Sequence, residues 1–396
     1  VEAAPWWLLI VAPFVLFALG WVAARIDIGH LMSESRALPS SYFKGLNYLV
    51  NEQPDRAIDA FIEVVKLDPE TVDLHFALGN LFRRRGETER AIRMHQNLLS
   101  RPDLPDEQRT HALFELGQDY LKAGLLDRAE ETFTKLETST YSVDARRNLL
   151  EIFQLEKEWR KAITAAVELQ EMGAGSNQMR IAQFYCELAQ TAFNESRLPD
   201  AQTELEAALA ANRKSVRALI LLGDLAARDG RDEDALNYWK RIEQQSPPHI
   251  ALVAERMMDA FRRTGQFSGG LMLLHSYFDT TPSIDLLEVL LKATAEAEGP
   301  AVASQLALDA LHRSPSLLAL SQYLDSRAEL ADPNERANLE VVRNLIHNHT
   351  RRIGRYTCGN CGFKARQFHW QCPGCSTWES YPPLRSEELD LQASSS

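Results

Sequence analysis

The sequence predicts an all-α chain: a superhelical solenoid of stacked helix pairs, with an N-terminal transmembrane helix and a small C-terminal metal-binding unit. Three observations predict it. A glycine and an alanine twelve residues apart recur through the middle of the chain. An uncharged run of twenty residues precedes them. Four of the five cysteines lie near the end as two C-x2-C pairs.

The chain has 396 residues, long enough for two or three ordinary domains. Its net charge of −12 argues against a general nucleic-acid binder, which needs a basic surface. Five cysteines, four in one motif, do not make a secreted disulfide framework. Paired C-x2-C units need thiolates free to bind metal, which points to a reducing compartment.

From Pro5 to Ala24 the sequence reads PWWLLIVAPFVLFALGWVAA. A helix rising about 1.5 Å per residue over this run matches the thickness of a bilayer core. Trp6, Trp7 and Trp21 fall at its margins, where aromatic belts sit, and Pro13 is tolerable in a membrane helix. A cleaved signal peptide would want a basic leader and a shorter apolar stretch, whereas Glu2 precedes this one. A buried core helix is rarely apolar all round. Arg25, Arg36 and Lys44 follow the run, so the positive-inside rule puts the bulk of the chain in the cytoplasm and the N-terminus outside.

Self-similarity decides the middle. Gly45 and Ala57, Gly79 and Ala91, Gly117 and Ala129, Gly223 and Ala235 share one spacing. Aromatic residues such as Phe61, Phe133 and Trp239 follow, expected to fill the gap against the neighbouring pair. Traced through Ala57, Ala91, Ala129, Ala162, Ala201, Ala235, Gly270 and Ser304, the small position returns after 34, 38, 33, 39, 34, 35 and 34 residues. That makes about eight repeats of two amphipathic helices, turning at Gly86, Gly124, Gly230, Gly265 and Gly299. The signature with its later alanine, aromatic and proline resembles the tetratricopeptide repeat. Such arrays stack into a superhelix with a concave face suited to a peptide or protein segment. Tyr48, Phe82 and Tyr120, at matching places on first helices, are expected to pack between repeats. The longer gaps coincide with Ser100–Thr110, which carries two prolines, and with the break at Gly173–Asn177. A closing helix is expected after Asp332 as N-cap and Pro333 in the first turn.

Cys358, Cys361, Cys372 and Cys375 supply four thiolates for one tetrahedral ion, iron or zinc. Four sulfurs close the coordination sphere against a catalytic water. His369 is then a surface or packing residue, and Tyr356, Phe363, Phe368, Trp370 and Trp378 form a miniature core. The paired knuckles resemble rubredoxin, with an intervening segment of ten residues that is shorter than in free electron carriers. Cys186 reads as a buried helix residue. The basic run at 347–355 has two readings, complement to a helix C-terminus or a docking strip toward acidic repeats. The resulting plan is a transmembrane anchor at 5–24, a juxtamembrane linker at 25–39, the repeat array at 40–316, closing helices at 317–352, the rubredoxin-like unit at 353–384 and a flexible tail at 385–396.

This order of parts resembles the lipopolysaccharide assembly protein B family of Gram-negative bacteria over essentially the whole chain. The resemblance implies an inner-membrane, cytoplasm-facing adaptor. Its implied partners are a membrane-anchored AAA+ zinc protease, the lipid A-committing deacetylase as client, and further inner-membrane proteins of lipopolysaccharide sensing or assembly. Self-association is a further option. Of the family's functional residues only the four cysteines carry over. With no Walker loop, HExxH helix or GxSxG elbow, no catalytic or cofactor-binding residue is expected and the chain is read as a non-enzyme. Two alternatives stand beside the adaptor: a scaffold for envelope enzymes that directs no proteolysis, and a rubredoxin-type electron carrier.

Overall fold

Helices follow one another in pairs from Ser40 onward, each pair joined by a turn of a few residues. The computed structural model describes residues 40–51, 53–67 and 71–395, together with Phe17 and Trp21. Apart from those two positions, the expected anchor and linker lie outside the described residues. Among the described residues no helix is long and apolar enough to cross a membrane.

The chain divides into two compact units, Val1–Ile152 and Phe153–Ser396. The first holds α1 (Ser40–Val50), α2 (Pro54–Leu67), α3 (Val72–Arg84), α4 (Thr88–Leu99), α5 (Asp106–Lys122) and α6 (Leu126–Thr134). The division falls within α7 (Ser142–Leu155). The second holds α8 (Trp159–Glu171), α9 (Gln178–Asn194), α10 (Leu198–Ala211), α11 (Val216–Arg228), α12 (Asp232–Lys240) and α13 (Ile242–Gln245). A 3-10 turn at Pro247–Leu252 leads into α14 (Ala254–Arg263), α15 (Phe267–Thr280), α16 (Ile284–Glu298) and α17 (Pro300–Arg313). After α18 (Leu317–Leu330) and α19 (Pro333–Ile353), the short strands β1 (Tyr356–Thr357) and β2 (Lys364–Ala365) pair antiparallel, Tyr356 opposite Ala365. The last element among the described residues is α20 (Ser386–Ser395).

The repeated glycine has a specific cause. A methyl group at Gly45, Gly117 or Gly223 would stand 2.2–2.7 Å from the ring of Phe61, Phe133 or Trp239, sixteen residues on in the second helix of the same pair. The aromatic therefore locks its own pair, and Phe61 and Trp239 also belong to core clusters that run on into the following helices, as the sequence had suggested. At Gly79 the ring is His95, fully buried, its Nδ1 2.5 Å from Asp119 Oδ2. Phe82 and Tyr120 are buried and Tyr48 half-buried, all in packing roles.

The pair-closing turns need a left-handed residue. Gly86, Gly124, Gly230, Gly265 and Gly299 have φ of 80, 73, 74, 70 and 97°. Lys157 and Ser196, each at φ 60°, take the same position between α7 and α8 and between α9 and α10. One core cluster of the second unit runs from Val216 to Ala310. Ser215, Ser283, Ser316 and Asp332 cap α11, α16, α18 and α19, Asp332 Oδ1 accepting from the backbone N–H groups of Asn334 and Glu335 at 2.9 Å.

Candidate metal centre

Two knuckles of the same local design build the centre. In the first, Cys358 N–H donates to Phe363 O (3.0 Å) and Gly362 N–H returns to Cys358 O (2.9 Å). In the second, Cys372 N–H donates to Thr377 O (2.9 Å) and Ser376 N–H returns to Cys372 O (2.8 Å). Each turn needs a left-handed residue directly after its second cysteine, Gly362 at φ 74° and Ser376 at φ 56°. Folded this way, both sulfurs of a knuckle face one point.

All four Sγ atoms, of Cys358, Cys361, Cys372 and Cys375, lie within 4.8 Å of one another. The Cys358–Cys375 and Cys361–Cys372 sulfur separations are 3.8 and 3.7 Å. A tetrahedron with metal–sulfur bonds of about 2.3 Å has edges of about 3.8 Å, so the donor set fits one four-coordinate ion. Iron and zinc both suit it. Cys358 and Cys372 are buried, Cys375 is half-buried and Cys361 exposed, so one edge of the centre faces water.

Neighbouring dipoles favour thiolate at Cys375. Asn360 Nδ2 donates to Cys375 Sγ at 3.4 Å and Thr377 Oγ1 lies 3.3 Å from it; these contacts, Asn360 first, hold the Cys375 thiol down to about 5. Gly374 N–H donates to Cys372 Sγ at 3.3 Å. Tyr356, Ala365 and Tyr381 pack against Cys358 and Cys372 as the unit's own small core. His369 lies against the Tyr381 ring, a packing role.

The unit is docked on the end of α7, the start of α8, α9, α11 and the 3-10 turn. Trp378 sits edge-on to Trp159 and Phe184, with ring centres 6.3 and 6.0 Å away, and its Nε1 donates to Gln154 Oε1 at 3.1 Å. Gln183 Nε2 donates to Glu379 at 2.6 Å while Gln183 Oε1 accepts from Arg217, which lies over the Trp378 ring. His249, on the 3-10 turn, stacks on Trp370 at 5.6 Å and meets Phe368 edge-on. Its Nδ1 lies 2.8 Å from Ser246 Oγ, and burial holds its pKa down at about 4.

Within the stretch expected as a tail, Arg385, Glu387 and Glu388 form a clasp. Arg385 forms a two-pronged pair with Asp285, at 2.7 and 3.1 Å, and the Tyr356 hydroxyl donates to the same carboxylate at 2.5 Å. Glu388 Oε1 accepts from Ile284 N–H at 2.8 Å, at the start of α16. Glu387 accepts from Leu317 and Leu318 N–H at 2.7 and 3.0 Å, at the start of α18. Unsatisfied amides and a positive dipole end make helix starts natural seats for carboxylates. Two adjacent glutamates thus pin one short helix across the starts of α16 and α18.

Comparison with known proteins bears on this architecture. The tetratricopeptide repeat model matches residues 44–95 and 186–250, and the rubredoxin metal binding domain model matches residues 356–382. Lipopolysaccharide assembly protein B of Escherichia coli strain K12 is 33% identical over 375 residues, covering 94% of this chain and 96% of the relative. The chain belongs to the lipopolysaccharide assembly protein B family. The protein of that name from Haemophilus influenzae is 28% identical, over 94% of this chain and 96% of its own. Likeness to solved structures is slight: MamA, at 18% identity and a TM-score of 0.27, covers 51% of this chain and 93% of its own.

In this family member the four cysteines singled out from the sequence come together, and Cys186 is buried, its thiol pushed up to about 12 by burial. Trp370 and Trp378, expected as internal core of the metal unit, instead face the array. One ion pair that fastens the unit, Arg385–Asp285, lies outside the basic run at 347–355. The clasp residues Arg385, Glu387 and Glu388 carried no local signal, because their partners lie far away in sequence.

Proposed function

We propose that this protein is a cytoplasm-facing adaptor of the bacterial inner membrane that restrains lipopolysaccharide synthesis. It brings the deacetylase that commits carbon to lipid A to a membrane-anchored AAA+ zinc protease, which does the degrading. The observation that carries this reading is the collinear match, 33% identity across 94% of this chain and 96% of the relative, to a protein named for lipopolysaccharide assembly.

Physical considerations support it. Residues 5–24 act as a single-pass anchor with the N-terminus in the periplasm, and an anchor raises the concentration of the array near other membrane proteins. Repeats of helix pairs offer an extended surface for a protein client. Cys358, Cys361, Cys372 and Cys375 hold one ion, zinc or iron, whose bound form supplies folding free energy to a unit too small for an adequate core. With its coordination sphere closed by sulfur, that ion braces the surface on which Trp378, Arg385, Glu387 and Glu388 meet the array.

The test is depletion in cells with and without the protease. Loss of this protein lengthens the half-life of the deacetylase only while the protease is present. An unchanged half-life contradicts the adaptor role and leaves a scaffold that directs no proteolysis.

A further inference from the structure

A groove of about 840 Å³ runs between α16 and α18, and the metal unit adds to its lining at one end. Glu388 and Glu387 of α20 cap the two helices side by side, so α16 and α18 set out from one place. Each lines the groove over eleven residues, Ile284 to Ala295 and Leu318 to Glu329. At a helical rise of 1.5 Å per residue that is a length of about 16 Å. Leu291, Ala295 and Leu318 give it apolar surface. Ser321 and Gln322 add polar groups that bond no side chain or backbone among the described residues.

Most charge in the groove is already matched. Lys292 pairs with Glu288 at 2.7 Å, and Arg343 with Asp325 at 3.6 Å. Two charges are left, one at each end. Arg366 stands where the metal unit meets the start of α18: Arg385 Nη1 donates to Gly354 O at 2.9 Å and to Arg366 O at 3.3 Å, and a methyl group on Gly354 would touch Leu318 at 3.5 Å. Glu329 stands in the last turn of α18. Both are exposed, and among the described residues neither the guanidinium nor the carboxylate has an ion-pair partner.

We propose that this groove binds an extended protein segment that sets a carboxylate against Arg366 and a lysine or arginine against Glu329. A small ion or metabolite does not reach both charges. A strand rising ~3.3 Å per residue does so in five residues. Its alternate side chains fall on Leu291 and Leu318, and the Gln322 amide offers both a donor and an acceptor to its backbone. Arg366 directly follows β2, which pairs with β1 just before Cys358, so the metal unit supplies the cationic end of the groove. Taking the segment to be the client's rests on the adaptor reading; the binding itself involves neither protease nor deacetylase.

The experiment probes an array of hexapeptides with capped termini, using the purified full chain loaded with zinc. One set ends in Glu and Lys in either order, one in two Glu and one in two Lys, with Ser, Thr, Val and Leu varied between. The wild type binds the best mixed-end peptides at least about tenfold more tightly than any same-end peptide, because like charges meet at one end of the latter. Glu329→Lys moves the preference to peptides with two Glu, and Arg366→Glu moves it to peptides with two Lys. Both positions are exposed, and unchanged melting checks that the variants fold. Cys372→Ser, which takes Arg366 away with the metal unit, selects none of the sets. A wild type without preference for mixed ends overturns the proposal. So does a preference that survives both charge reversals, or selection retained in Cys372→Ser. Deacetylase turnover is not the readout, so failure here leaves the adaptor reading standing, and failure of that reading leaves the groove standing.

Discussion

Trp378→Ala separates the metal unit from the array without touching a sulfur. The indole is 5% exposed, lies edge-on to Trp159 and Phe184, and donates to Gln154 Oε1 at 3.1 Å. Truncating a buried aromatic of this kind costs about 3–5 kcal/mol. At about 1.4 kcal/mol per factor of ten, that is a rise of roughly a hundredfold to a few thousandfold in the undocked population. Arg385–Asp285 and the two glutamate caps remain, so the unit opens transiently rather than leaving. The assay is native-state hydrogen exchange at Ile284, Leu317 and Leu318, whose amides are covered by Glu388 and Glu387. Their exchange accelerates by the same factor, while metal content stays at the wild-type level because no cysteine has changed. Unchanged protection at those three amides refutes the idea that Trp378 anchors the clasp. Accelerated exchange accompanied by metal loss refutes it differently, by placing Trp378 in the centre's own fold.

Gly223→Ala drives a methyl group to within 2.2 Å of Trp239 Nε1, so it destabilises the second unit by about 1–3 kcal/mol in denaturant unfolding; a neutral result would mean the pair can spread. His249 has its pKa held at about 4 by burial, below its unfolded value of about 6.5, so its contribution is fully present above that value and lost as pH falls toward 4. The wild type therefore loses about 2 kcal/mol of docking stability between pH 7 and pH 5, a slope that His249→Phe removes, as read by exchange at Leu317 in both proteins. Cys358→Ser or Cys372→Ser removes one sulfur without adding bulk; the terminal unit unfolds while far-ultraviolet circular dichroism keeps most of the repeat helix signal.

The repeats were legible because one steric fact repeats itself. A ring must meet a bare backbone, and that forces glycine at a fixed spacing from the ring, as in Gly45 and Phe61 or Gly223 and Trp239. His95 was hidden because an imidazole in the ring position breaks the aromatic pattern while filling the same space. Lys157 and Ser196 were hidden because side chains seldom adopt the left-handed turn they occupy. The cysteine knuckles were legible since metal geometry is enforced within a few residues. Docking was not. Gln183 and Glu379 are 196 residues apart, and Ile284 and Glu388 are 104 apart. A run such as SEELDLQASSS reads locally as a solvated end, and only the distant helix starts give its glutamates their work.

The central claim is that this protein is the adaptor through which a membrane protease reaches the deacetylase. The direct measurement is the rate of deacetylase degradation by the purified protease in proteoliposomes, with and without this protein loaded with zinc. The account predicts faster degradation when the protein is present, and no acceleration when Cys358→Ser replaces it. Degradation at the same rate in all three reactions contradicts the claim.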